Sequence, residues 1–177
     1  HIVFVCNELP PAPSGGIGAF VSTMAAALAR IHHEVTVVGV YPKDFGWQIP
    51  GVRVVPITRV RPRFWHWLKP FNSHHDWQRH AIHKTLRLLN RQHPIDIVEW
   101  PDYEGLFLKP IPKVTDVVRT HGPLFSHRVF GLHKRIPLIE KAEMNILRKV
   151  PHWVGVSRWF LQFLKDQTGA TPARTAV

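Results

Sequence analysis

Ile2-Val3-Phe4-Val5-Cys6, the turn-rich Pro10-Pro11-Ala12-Pro13-Ser14-Gly15-Gly16, the stretch Ile17 to Ile31, and then Val35-Thr36-Val37-Val38-Gly39-Val40 decide the fold. The first run is apolar at every position, as in a strand covered on both faces. Prolines and glycines end it. The next stretch repeats apolar residues at helical spacing, with Phe20, Met24, Ala27, Leu28 and Ile31 predicted on one face. A second apolar run follows almost at once, completing a strand–helix–strand unit of the parallel kind.

The same alternation continues along the chain. Val52 to Ile57 reads as a third strand, and Asp76 to Gln92 as a helix carrying Trp77, Ile82, Leu86 and Leu89. Ile95 to Trp100 and Val114 to Thr120 are strands, Pro137 to Lys149 is a helix, and His152 to Val156 is a sixth strand. Ser157 to Gln167 is a last helix, with Ser157 as its N-cap rather than a ligand contact. The expected class is α/β, a doubly wound, mainly parallel sheet with helices on both faces and ligands beyond the carboxyl ends of the strands. Arg174-Thr175-Ala176-Val177 reads as the opening of another strand, so the 177 residues are expected to form a single domain cut from a longer protein.

With 45% hydrophobic and 20% charged residues, the composition excludes disorder, collagen-like repeats and coiled coil. No apolar run reaches the ~18–20 residues that span a bilayer. Cys6 is the sole cysteine, which excludes an internal disulfide and makes a reducing compartment the expectation. A net charge of +11 points to an anionic partner, and seven tryptophans and 13 histidines exceed the needs of a core.

Gly15, Gly16 and Gly18, between the first strand and the first helix, invite comparison with phosphate-binding loops. The dinucleotide fingerprint fails, because Gly16-Ile17-Gly18-Ala19-Phe20-Val21 lacks its last glycine and the second strand ends at Val40-Tyr41 without a carboxylate. No Gly-Lys-Ser/Thr follows, which excludes a Walker loop. Two readings remain: glycines that let backbone N–H groups approach a diphosphate at a helix N-terminus, or glycines that only make a turn and ease packing.

Pro13-Ser14-Gly15-Gly16-Ile17-Gly18, with the helix after it and His33-Glu34-Val35-Thr36-Val37-Val38, resembles the N-terminal half of GT-B glycosyltransferases, above all the retaining, nucleotide-sugar-dependent family 4. Ile95-Asp96-Ile97-Val98-Glu99-Trp100-Pro101-Asp102-Tyr103-Glu104-Gly105 is similar to that family's fourth strand and acidic loop. Val118-Arg119-Thr120-His121-Gly122 resembles its strand ending in histidine, and Glu140-Lys141-Ala142-Glu143 through Val154-Gly155-Val156-Ser157 its helix–strand–serine passage. A lysine-bearing loop marks the glycogen-synthase-like relatives; Pro13, two residues before Gly15, counts against them.

The resemblance implies a Rossmann-like domain that is one half of a GT-B fold, on the acceptor side, with the donor-binding domain outside this chain. It implies that Gly15, Gly16 and Gly18 lie against the donor diphosphate, that His121 is the catalytic-site histidine near the donor sugar, and that Glu99, Asp102 and Glu104 face the acceptor. It implies a nucleotide-sugar as co-substrate, a glycan or lipid-linked acceptor, and no cofactor or metal. The competing reading is a non-catalytic module that docks on carbohydrate or an anionic membrane.

Arg59, Arg61, Arg63, Trp65, Trp67 and Lys69 interleave cations with aromatics. Such a segment suits an anionic membrane surface, an acceptor-binding wall, or tryptophans packed under a loop with arginines in water; single-stranded nucleic acid is disfavoured. The protein is expected to be cytoplasmic, and membrane contact would make it peripheral on the inner face. Asp76, His80 and His83 share helical spacing that could hold a metal, but they are expected to form an exposed histidine-rich face.

Overall fold

A computed structural model describes the chain apart from residues 11–14, 43–45, 47, 59–73 and 133. In order, the elements are β1 (Ile2–Val5), α1 (Gly16–Arg30), β2 (Val35–Tyr41), β3 (Arg53–Thr58), α2 (His74–Gln92), β4 (Ile97–Pro101), β5 (Thr115–Thr120), α3 (Leu124–Val129), α4 (Pro137–Lys149), β6 (His152–Gly155), α5 (Arg158–Thr168) and β7 (Arg174–Ala176). The fold is α/β and Rossmann-like, built on a seven-stranded parallel sheet. Two compact units divide it, His1 with Val3–Pro94 and Ile2 with Ile95–Val177.

In the first unit the strand order is β3-β2-β1. Val35 through Gly39 are buried without a break. Successive side chains point to opposite faces of a sheet, so both faces of β2 are covered, which is the doubly wound arrangement. Exposed Pro56 lies in β3, paired in register with Gly39 of β2; proline is tolerated there because β3 is the edge strand among the described residues. Helix α1 packs through Gly18, Val21 and Ala25, not through the predicted face. Small residues let the helix approach the sheet closely, which leaves Phe20 and Met24 half-buried and Ile31, beyond the last turn, 64% exposed. The histidine-rich face is also narrower than expected: His80 is exposed, but His83 turns inward beside Ile82 and Leu86.

The second unit has strand order β4-β5-β6-β7. Two tryptophans are among the largest side chains of its core. Trp100 is fully buried, donates from Nε1 to Asp116 Oδ1 at 2.7 Å, and meets Phe107 edge-to-face at 5.2 Å. Trp153, also buried, donates to the Val150 carbonyl at 3.0 Å. A buried indole needs a partner for its one donor, and both have one. As predicted, Ser157 caps α5, accepting the Phe160 N–H at 3.1 Å; Gly169, at φ 66°, ends that helix in the left-handed conformation. The expected opening of a further strand at Arg174 is β7. No helix of the described residues is long and apolar enough to cross a membrane. The cation–aromatic segment Arg59, Arg61, Arg63, Trp65, Trp67 and Lys69 lies outside the described residues.

Gly39 is where the first unit is least tolerant. A Cβ there would collide with the Cys6 carbonyl and come within 2.6 Å of the Tyr41 ring, whose hydroxyl donates to that same carbonyl. Gly39→Ala is expected to lower unfolding stability by about 1–3 kcal/mol. Gly16→Ala, where nothing lies within 4 Å of the added carbon, should stay within about 0.5 kcal/mol of the parent. Urea unfolding midpoints of the two variants check this contrast.

Candidate functional site

The site in the second unit is built at the carboxyl ends of β4 and β5. Beyond β4 the chain runs through Asp102, Tyr103, Glu104 and Gly105, the last two at φ 61° and 58°. Gly105 is required: a Cβ would lie 2.5 Å from that of Ala142, so α4 can press directly on the loop. Beyond β5 come His121 and Gly122, the latter at φ 129°, then Pro123 and α3.

Two buried carboxylates hold these loops. Asp102 is 0% exposed; Oδ1 accepts the His121 N–H at 3.0 Å and Oδ2 the Gly122 N–H at 3.2 Å. Glu143 of α4, also 0% exposed, accepts the N–H groups of Glu104 and Leu124 at Oε1, each at 3.0 Å, and that of Phe125 at Oε2 at 3.1 Å. Pro123 offers no capping side chain, so Glu143 serves as the N-terminal cap of α3 from another helix. Glu140, in the first turn of α4 itself, reaches back with Oε1 to the N–H of the N-cap residue Ile136 and holds Arg128 with Oε2, both at 2.9 Å.

Burial and hydrogen bonding oppose each other here. Desolvation raises Asp102 to about 7 against the pull of its N–H donors, and raises Glu143 to about 8, with the negative charge of Asp102 adding to the rise. His121 is half-buried, and desolvation together with the Arg119 cation lowers it to about 4. It is therefore a neutral imidazole at pH 7, able to donate at one nitrogen and accept at the other.

The structure thus brings Asp102, Glu104 and His121 into one loop cluster. Glu99 is differently placed: its carboxylate grips Arg119 in a two-pronged pair, Nε to Oε1 at 2.6 Å and a terminal nitrogen to Oε2 at 3.0 Å. Gly15, Gly16 and Gly18 belong to the first unit. Gly15 is the N-cap of α1, which has no side-chain cap and no acidic residue in its first turn. The Gly15 N–H donates to Glu8 Oε2 at 3.2 Å, so a carboxylate already sits where an anion would. Gly16 is exposed with open space about it, whereas Gly18 is buried and serves packing.

Sequence reasoning missed the part played by Glu143. The available signal was its position on the apolar stripe of α4 with Ala142, Ile146 and Leu147; a carboxylate buried there must find several donors.

Stability should carry the mark of these carboxyls. Asp102 and Glu143 bind protons more tightly folded than unfolded, so stability falls as pH rises until both are ionised. His121, lowered instead, acts in the opposite sense, and its contribution is complete by about pH 6.5. The expected result is a decline in urea midpoint between pH 6.5 and about 8, shallower in a less stable Glu143→Gln variant. A profile with the same slope in both proteins would contradict this account. No family model matches the chain, and no curated protein matches it.

Proposed function

We propose that this chain is the acceptor-side domain of a retaining glycosyltransferase that moves a sugar from a nucleotide-sugar to a hydroxyl acceptor, a glycan or a lipid-linked molecule. The observation that carries the reading is a neutral His121 at the carboxyl end of a parallel strand, on a loop clamped by the buried Asp102 and Glu143. Ligands of open α/β sheets bind at that end of the strands. The resemblance of the glycine loop and of the Arg119-Thr120-His121-Gly122 segment to family 4 enzymes supports the same reading.

In the proposed reaction the bond between the anomeric carbon and the diphosphate oxygen breaks as the acceptor oxygen bonds to that carbon from the same face. The acceptor proton passes to the departing phosphate oxygen, so no protein nucleophile is needed. Neutral His121 hydrogen-bonds a hydroxyl of the donor sugar, Glu104 holds acceptor hydroxyls, and Asp102 acts by holding the loop of His121. The resemblance to family 4 implies that a second, donor-binding domain completes the site. The reaction asks for no metal or cofactor. The protein works in the cytoplasm, with Arg59 to Lys69 resting on the inner face of an anionic membrane.

The second reading, a non-catalytic carbohydrate- or membrane-binding module, is favoured by one surface. Phe130, Trp159 and Phe163 stack with centroids 5.1–6.3 Å apart, with Trp159 65% and the nearby Leu132 75% exposed. Apolar surface of this kind marks an interaction site.

Full-length protein assayed for nucleoside diphosphate release across a panel of nucleotide-sugars separates the two. Turnover should fall about a hundredfold or more in His121→Ala with folding intact; no turnover with any donor, or full turnover in the variant, sinks the enzymatic reading. For the membrane, sedimentation with anionic vesicles at low salt should capture the protein. Neutral vesicles should not, and replacing Arg59, Arg61 and Arg63 by alanine should abolish capture.

A further inference from the structure

We infer that His1, Glu34 and His93 form a binding site for a borderline divalent cation of the zinc, cobalt or nickel kind, separate from the sugar-transfer chemistry. The three come from different elements of the first unit: His1 precedes β1, Glu34 precedes β2, and His93 follows α2. One ligand atom from each lies within 4.8 Å of the other two. The Glu34 carboxylate stands between the rings, with Oε2 2.6 Å from His93 Nε2 and Oε1 4.0 Å from His1 Nε2. The two imidazoles meet edge-to-face, with centroids 5.2 Å apart.

An ordinary ion pair would need only one histidine. A second imidazole at this distance adds repulsion if both are protonated, whereas a cation uses both rings in their neutral form. Bonds of about 2.0–2.1 Å in a tetrahedron place ligand atoms about 3.3 Å apart. The present separations of 2.6 and 4.0 Å straddle that value. Small rotations suffice to even them out, because the side chains of Glu34 and His93 are 48% and 56% exposed. His1 is the most buried of the three, with a side chain 2% exposed, and its Nε2 would exchange the Thr36 hydroxyl, 2.9 Å away, for the ion. Two imidazoles and one carboxylate suit zinc-like ions; calcium and magnesium prefer all-oxygen sets. The fourth position is left to water. Bound there, at the amino ends of β1 and β2, the ion fastens the end of α2 to the strands and leaves the loop after the carboxyl end of β1 untouched.

Titration of the whole protein with cobalt, followed by the visible bands of the tetrahedral ion, tests this, with zinc as competitor. One equivalent should bind, zinc should displace it, and zinc should raise the melting temperature while calcium does not. His93→Ala and Glu34→Ala, both at exposed positions, should fold and bind at least about tenfold more weakly. His80→Ala, which removes a histidine elsewhere in the unit, should bind as the parent does. Equal binding by the His93→Ala variant, loss of binding in His80→Ala, or an equal response to calcium would overturn the assignment.

Discussion

Glu143 is a carboxylate with no access to water, and much of the second unit is arranged around satisfying it. Each N–H bond to a charged acceptor is worth about 1.5–3 kcal/mol net, and Glu143 accepts three, from Glu104, Leu124 and Phe125. Set against these is the desolvation of the charge, several kcal/mol for a buried ion. The balance leaves the acid weaker than usual, which is why it lies near 8. The donors come from two different loops. Together with Asp102, this side chain therefore ties the loop after β4 to the segment after β5.

Most of the fold was legible in the sequence because its strands are apolar on both faces and its helices are amphipathic. These signals depend on local periodicity, and Pro137–Lys149 was read with both ends correct. Errors arose where packing, not periodicity, decides. Helix α1 presents Gly18, Val21 and Ala25 to the sheet because close approach favours small residues over the larger Phe20 and Met24. The six-residue α3 was not read at all. Its first N–H groups are capped by a residue about twenty positions further on, and a short helix stabilised from outside has no sequence signature of its own.

The candidate site was legible to a similar depth. His121 and Asp102 stood out through the resemblance of their segments to family 4, and the structure joins them through the backbone N–H of His121. Glu99 and Arg119 face one another because β4 and β5 are paired in parallel, Glu99 with Val117 and Pro101 with Arg119. That offset brings the two long side chains together diagonally across the strands. The pairing could not be foreseen from either segment alone, since it depends on register.

The histidine owes its neutrality to this arrangement. Arg119, held by Glu99 on the strand that ends at His121, disfavours a proton on the imidazole, and partial burial does so more strongly. In the reaction proposed above, a protonated imidazole would oppose the positive charge developing at the anomeric carbon. A neutral ring would leave that charge unopposed, and it offers one donor and one acceptor. Asp102 accepts the backbone N–H groups of His121 and Gly122, one on each oxygen. The buried acid thus fixes the position of the histidine through the backbone, while burial and the Arg119 cation lower the proton affinity of its ring.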